Sequence, residues 1–364
     1  MRYELGQVCS RLSSGKGIPA SQVSDIGEYP VYGGNGLRGY TSHANFEGEC
    51  AIIGRQGAFC GNVRFFSGKA YMTEHAVVVC ANEQNSTRYL AYLLSTMNLG
   101  RLSGQSAQPG LSVKTLAKQE IELPALEQQN KIVSILASLD EKNELNQKIN
   151  ENLERQAFAL FDNFLAGAQN EECVVSDIAI LNPKRALAKN QSARCIDMTR
   201  LPTSGAFPTG WETKPFNGGM KFSNGDTLLA RITPCLENGK TAFIDFLEDG
   251  EVAFGSTEYI VLSPKEGVPP EFLYCLARYP AFVDYAVKNM NGSSGRQRVS
   301  ADTVGQYRLP KLSCEDFEGF GNAVVPLFLK MRYSSLENMR LSALRDTLIP
   351  KLMSGEIDLS NIQL

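Results

Sequence analysis

Two kinds of hydrophobic patterning alternate along this 364-residue chain. From residue 1 to about 124, short β-branched and aromatic runs such as Glu49–Ile53 and Ala76–Val79 are punctuated by turn clusters such as Gly33-Gly34-Asn35-Gly36, which predicts short strands. One helix interrupts them around Thr87–Met97, with Tyr89, Leu90, Leu93, Leu94 and Met97 on one face. From Leu126 to Leu165 glycine and proline vanish. Ile132, Ile135, Leu139, Ile149, Leu153 and Leu160 then fall at heptad a and d positions, with Asn146 at an a position. At ~1.5 Å per residue this segment predicts a rod of ~60 Å.

The second half repeats that grammar. Strands and turns run from about 172 to 311, with Pro270–Val287 answering the first helix. Phe317, Phe320, Val324, Leu327, Met331, Leu341 and Leu348 then set a second heptad frame, with Asn338 at an a position. Pro326 inside this frame is expected to start or kink the helix, and Gly355 to end it before a short tail. The correspondence extends to residues: Leu123-Pro124 recurs as Leu309-Pro310 and Glu151-Asn152 as Glu337-Asn338, and 309 − 123 and 337 − 151 are both 186. Ala51-Ile52-Ile53-Gly54-Arg55 answers Thr227-Leu228-Leu229-Ala230-Arg231, Thr73-Glu74-His75 answers Thr257-Glu258-Tyr259, and Leu111-Ser112 answers Val299-Ser300. A unit this long is a domain plus a helix, not a solenoid repeat. Two copies predict an approximate two-fold axis and a bipartite ligand.

Composition narrows the class. Apolar residues make up 43% and charged residues 21%, as in a globular protein. Nine scattered cysteines without a C-x-x-C pair exclude a disulfide framework or zinc ribbon and read as small buried hydrophobes in a reducing cytoplasm. Neither a signal peptide nor a membrane span is visible, so a cytoplasmic location is expected. The net charge of −3 argues against a self-sufficient nucleic-acid binder. Basic residues nevertheless cluster at equivalent places, Arg101–Lys118 and Arg278–Lys311.

The apparent enzyme signals do not hold. Gly34, Gly36 and Gly39 spell G-x-G-x-x-G, but Tyr40-Thr41-Ser42-His43 opens no helix to hold a pyrophosphate. Gly239-Lys240-Thr241 imitates the end of a P-loop, yet Pro234 stands where its first glycine is needed. Two histidines, His43 and His75, leave little scope for a metal cluster or triad, and His75, assigned to a strand, reads as structural. Glu74 and Glu258 are equivalent positions rather than acid–base partners.

Tyr29-Pro30-Val31-Tyr32-Gly33-Gly34-Asn35-Gly36, Ile52-Ile53-Gly54-Arg55, Gly104–Ser112, and Leu123-Pro124 before Leu126-Glu127-Gln128-Gln129 resemble the specificity subunit of type I restriction-modification systems. The second copy ending Leu309-Pro310 and the terminal Leu348–Ile357 extend the resemblance over essentially the whole chain. It implies an α+β protein: two similar mixed α/β target-recognition domains (1–124 and 169–311) and a pair of long antiparallel, coiled-coil-like helices separating them (125–168 and 312–364, the latter with the tail). It also implies double-stranded DNA as ligand, and two methyltransferase subunits and restriction subunits as partners. Those partners would carry S-adenosylmethionine, ATP and Mg, and the chain itself would be noncatalytic and hold no cofactor. The second copy reads Asn291–Arg298 where the first has Gly104–Gly110, so the two domains should read different half-sites.

Base reading calls for Arg, Lys, Asn or Gln on loops that reach a groove. Candidates in the first half are Asn35, Arg38, Arg55, Gln56, Gln105 and Gln108; in the second, Arg231, Lys240, Arg296, Gln297 and Arg298, with the 296–298 cluster the strongest. Arg55 and Arg231 share a strand end, for DNA contact or for a salt bridge. Lys114 and Lys118 are phosphate candidates or ordinary surface lysines. Phe158, Phe161 and Phe164 either dock partner helices or pack under the second domain. The competing functional classes are a scaffolding module that never touches DNA and, more distantly, a hydrolase with an unrecognised site.

Overall fold

A computed structural model of the chain describes residues 1–103, 110–168, 171–293 and 295–359. It divides into two compact units, Met1–Glu141 with Ala343–Leu364, and Lys142–Ser342.

The first unit holds β1 (Arg2–Glu4), β2 (Cys9–Ser14), β3 (Tyr29–Gly33), β4 (Gly36–Thr41), β5 (Phe46–Gly54), β6 (Val63–Met72), β7 (Ala76–Ala81), α1 (Thr87–Thr96), α2 (Val113–Ala117), β8 (Glu120–Glu122) and the start of α3 (Leu126–Gly167). Six strands form one sheet in the order β2-β7-β5-β6-β3-β4, and β1 pairs separately with β8. Alternation along β5 and β7 gives the sheet two apolar faces. Ala51, Ile53, Val77 and Val79 pack with Tyr89, Leu90 and Leu94 of α1 and Ile132 and Leu136 of α3. Cys50, Ile52 and Val78 pack with Phe46 and Met72 on the other face. Burying a side chain such as Ile53 contributes ~1.5–3 kcal/mol. Buried Gln129 anchors the start of α3: its Oε1 accepts the Ser86 N–H at 2.9 Å, and its Nε2 donates to Asn85 Oδ1 at 2.9 Å and Pro124 O at 2.9 Å.

The second unit holds β9 (Glu172–Val174), α4 (Val175–Ile178), β10 (Ala179–Leu181), β11 (Ser192–Ile196), β12 (Glu212–Pro215), β13 (Lys221–Phe222), β14 (Thr227–Ala230), β15 (Thr241–Phe243), β16 (Ala253–Gly255), β17 (Tyr259–Pro264), α5 (Pro270–Arg278), α6 (Pro280–Lys288), α7 (Ala301–Gly305), β18 (Arg308–Pro310) and most of α8 (Cys314–Met353). Its strands make two four-stranded sheets, β10-β17-β14-β15 and β12-β11-β16-β13, with β9 paired to β18. The core is aromatic. Phe161 and Phe164 of α3 meet Phe320 of α8 at ring-centroid distances of 6.1 and 5.5 Å, and Phe158 stacks on Tyr274 at 6.3 Å. These phenylalanines therefore pack beneath the second sheet domain, Phe161 buried and Phe158 and Phe164 half-buried.

The internal repeat is structural. β5 meets β7 through Ala51↔Val79 to Gly54↔Ala76, as β14 meets β17 through Thr227↔Leu262 to Ala230↔Tyr259. The Leu111 N–H donates to Arg55 O at 2.8 Å and the Val299 N–H to Arg231 O at 3.0 Å. Ser112 and Ser300 then cap α2 and α7, each accepting a backbone N–H three residues on. This ladder corrects one equivalence. It sets Glu258 opposite Arg231 where His75 stands opposite Arg55, so Glu258 matches His75 and not Glu74. His75 itself lies in the turn between β6 and β7 rather than on a strand.

Four further expectations need correction. The single helix expected over Pro270–Val287 is two, because Pro280 holds Tyr279 extended at ψ 127° and breaks the ladder. α8 instead runs unbroken through Pro326, which is exposed together with Asn322, so the carbonyl that loses its amide partner faces water. Along α3 the second stripe of the seam lies one residue beyond the predicted Ile135 and Ile149. Leu136, Asn143 and Ala157 are buried there, and Ile135 and Ile149 are half-buried at its margin. Within the second unit Asn146 Nδ2 donates to Asn338 Oδ1 at 2.9 Å and Asn150 Nδ2 to Ser335 Oγ at 3.1 Å. Partner numbers rise on one helix as they fall on the other, which is antiparallel pairing through a polar seam. All nine cysteines are free, but only Cys50 and Cys275 are buried, and Cys314 is exposed.

Candidate nucleic-acid interface

In the first unit Asn35, Arg38, Arg55 and Gln56 gather at one end of the six-stranded sheet. The β3–β4 hairpin turns at Gly34-Asn35, and Gly36 takes φ +102°, a region L side chains rarely adopt. A Cβ on Gly34 would lie 3.0 Å from His75 O and 3.5 Å from Arg55 N, so glycine lets the turn sit close against the end of β5 without crowding the His75 carbonyl. Asn35, Arg38 and Gln56 are exposed beside it, and Arg55 is half-buried. The Arg55 N–H donates to His75 O at 2.9 Å, and its guanidinium reaches Ser14 Oγ at 3.4 Å. Arg38 has no side-chain hydrogen bond or ion pair among the described residues. Gln56 forms a β-bridge with Gly110, while Gln105 and Gln108 lie outside the described residues. Lys114 and Lys118 are exposed on and just after α2, which packs against the Leu5–Val8 turn; neither has a described partner.

Sequence reasoning missed Arg64. It is exposed on β6, and its Nη2 donates to Asn35 O at 3.4 Å, which adds a third guanidinium to the group. Its proximity depends on β6 pairing in parallel with β3, a long-range link that no local pattern announces.

In the second unit Arg231 directly follows β14 as Arg55 follows β5, with its N–H donated to Glu258 O at 3.0 Å and its Nε buried without a hydrogen-bond partner among the described residues. The 296–298 cluster divides. Arg296 is exposed and its side chain is unpartnered among the described residues, and Gln297 is half-buried. Arg298 is committed: Nε donates to Glu258 Oε2 at 2.8 Å, Nη2 to Glu258 Oε1 at 2.7 Å, and Nη1 to Arg296 O at 3.0 Å. Hydrogen bonding from Arg298 holds the Glu258 carboxyl below the usual glutamate range, and the Arg298 and Arg231 charges add to the effect. Lys240 is also occupied, its Nζ donating to Met198 O at 2.7 Å. Both DNA-contact candidates are hydrogen-bonded to their own chain.

These features define a duplicated binding protein: one sheet frame used twice, an arginine at the same strand end in each copy, and different glycine-bearing loops around it. Among the described residues no group of three or more His, Cys, Asp or Glu side chains is placed to hold a metal, and no helix is long and apolar enough to cross a membrane. The family model described as the type I restriction modification DNA specificity domain matches residues 1–155. The chain is 39% identical over 143 residues to the EcoprrI type I specificity subunit of Escherichia coli, covering 38% of this chain and 35% of that protein. It is 23% identical over 330 residues to the HindI specificity subunit of Haemophilus influenzae, covering 68% and 71%. The crystal structure of a type I restriction-modification S subunit from M. genitalium shares the fold with a TM-score of 0.62 at 17% identity, over 97% of this chain and 95% of that one. Residues 1–155 thus match a type I DNA specificity domain, and the chain as a whole is similar to type I specificity subunits.

Proposed function

We propose that this chain is the noncatalytic sequence-reading subunit of a type I restriction-modification complex. Each unit reads one half of a split duplex target, while two methyltransferase subunits and restriction subunits, with S-adenosylmethionine, ATP and Mg, perform adenine methylation and cleavage. The observation that carries this reading is the recurrence of a strand-end arginine, Arg55 and Arg231, inside the same hydrogen-bond frame, surrounded in each copy by a different set of exposed polar side chains. Such an arrangement keeps positioning constant and varies what reaches the base edges. With a net charge of −3, most phosphate contacts fall to the partners, and the isolated chain binds DNA weakly with a shallow salt dependence. Long-read sequencing of the host genome for methylated adenines in a split motif tests the proposal: deletion of the gene should erase methylation at that motif. Unchanged methylation at every such motif refutes it.

A further inference from the structure

We infer that Glu258 and Arg298 form a positioning clamp which presents Arg296 and Gln297 to the half-site read by the second unit, and that Arg298 does not itself read a base. The inference rests on the DNA-reading function proposed above. Guanine recognition by arginine uses two parallel N–H groups of the guanidinium fork. In Arg298 the fork is spent on the two oxygens of Glu258, and the remaining nitrogen, Nη1, holds Arg296 O. Every guanidinium nitrogen thus has an intrachain partner and the Nε/Nη2 edge is closed to a base, while one N–H on each of Nη1 and Nη2 stays unbonded. The backbone tightens the same point. Asn291 and Arg298 exchange N–H···O bonds in both directions at 2.9 Å, and the Thr233 N–H donates to Gln297 O at 3.1 Å. Glu258 sits on the strand-end turn that also receives the Arg231 N–H, so the clamp ties the loop to the repeated frame. Among the described residues the first unit has no such clamp: the positions equivalent to Glu258 and Arg298 are His75 and Gly110.

The test uses the full complex and reads methylation at targets intact in both half-sites or altered in one. Arg298→Glu should lose selection at the second unit's half-site by at least about tenfold, the scale of one lost base contact, with selection at the other half-site unchanged. Combining it with Glu258→Arg should restore selection to within about threefold, because the exchanged charges re-form the pair. Glu258→Gln, which preserves shape, should weaken selection without altering assembly. Arg296→Ala should lose selection in either background. A loss in Arg298→Glu that the charge exchange fails to restore, or Glu258→Gln behaving as the parent, overturns the clamp and leaves Arg298 a reader or a bystander. A parent complex with no split-motif selection refutes the proposed function instead, which separates the two failures.

Discussion

The two sheet domains share a four-stranded frame and diverge at its far side. The order β2-β7-β5-β6 in the first unit corresponds to β10-β17-β14-β15 in the second, with the same register at the central pair. Beyond β6 the first unit continues into the β3–β4 hairpin, which brings Asn35 and Arg38 to the end of β5. β15 instead ends its sheet, and a second sheet packs on it, Ile196, Phe222 and Ala253 sharing a core with Leu228, Ala242 and Val261, with Trp211 stacked on Phe246 at 4.9 Å and the Arg194 guanidinium 5.0 Å from the Trp211 ring. Opposite the shared arginine, one copy has His75 and Gly110 and the other Glu258 clamped by Arg298. A common backbone frame thus tolerates different side-chain solutions at one position. The frame is held by apolar burial and ladder hydrogen bonds, which do not depend on what those side chains carry.

The strongest test of this contrast is in the cores. Phe320→Ala removes a fully buried ring packed edge-on against Phe161, Phe164 and Phe272. It should cost ~3–5 kcal/mol, seen as a lowered denaturant midpoint, with the fluorescence of Trp211 reporting the loss in the second unit. A shift under about 1 kcal/mol would mean that the aromatic layer does not hold that unit together.

A middle-sized effect separates the readers. Arg38→Ala should weaken discrimination at the first unit's half-site by ~1–3 kcal/mol, about fivefold to 150-fold, and leave the other half-site untouched. Methylation of half-site variants measures both. Equal losses at both half-sites would break the one-unit, one-half-site correspondence.

The smallest effect is one of pH. Because Glu258 has its pKa lowered in the folded state, the stability of its pair is fully present above the unfolded glutamate value and is lost as pH falls through the lowered folded value. Exchange protection of the Asn291 and Arg298 amides, corrected for intrinsic rates, should therefore drop in acid below the usual glutamate range. The Leu111 amide, bonded to Arg55 O with no carboxylate in the link, should keep its protection there.

Much of this architecture is readable from residue order. The glycine- and proline-free run from Leu126 announces α3, and the paired echoes place Arg55 and Arg231 at equivalent strand ends, where they stand. The polar half of the α3 seam was not readable, because Asn143 and Asn150 look like surface residues until α8 is laid against them. Arg64 was invisible for want of the β3–β6 pairing. Arg298 looked free because its partner, Glu258, lies forty residues away in the chain.

By itself, then, residue order determined the element types, the duplication and the strand-end arginines, since periodicity and backbone preference act over a few residues and survive in any tertiary context. Tertiary structure alone decided which charges stay available. Whether an arginine is free or neutralised depends on an acid brought within ~3 Å by sheet register, and register is settled by burial across the whole domain.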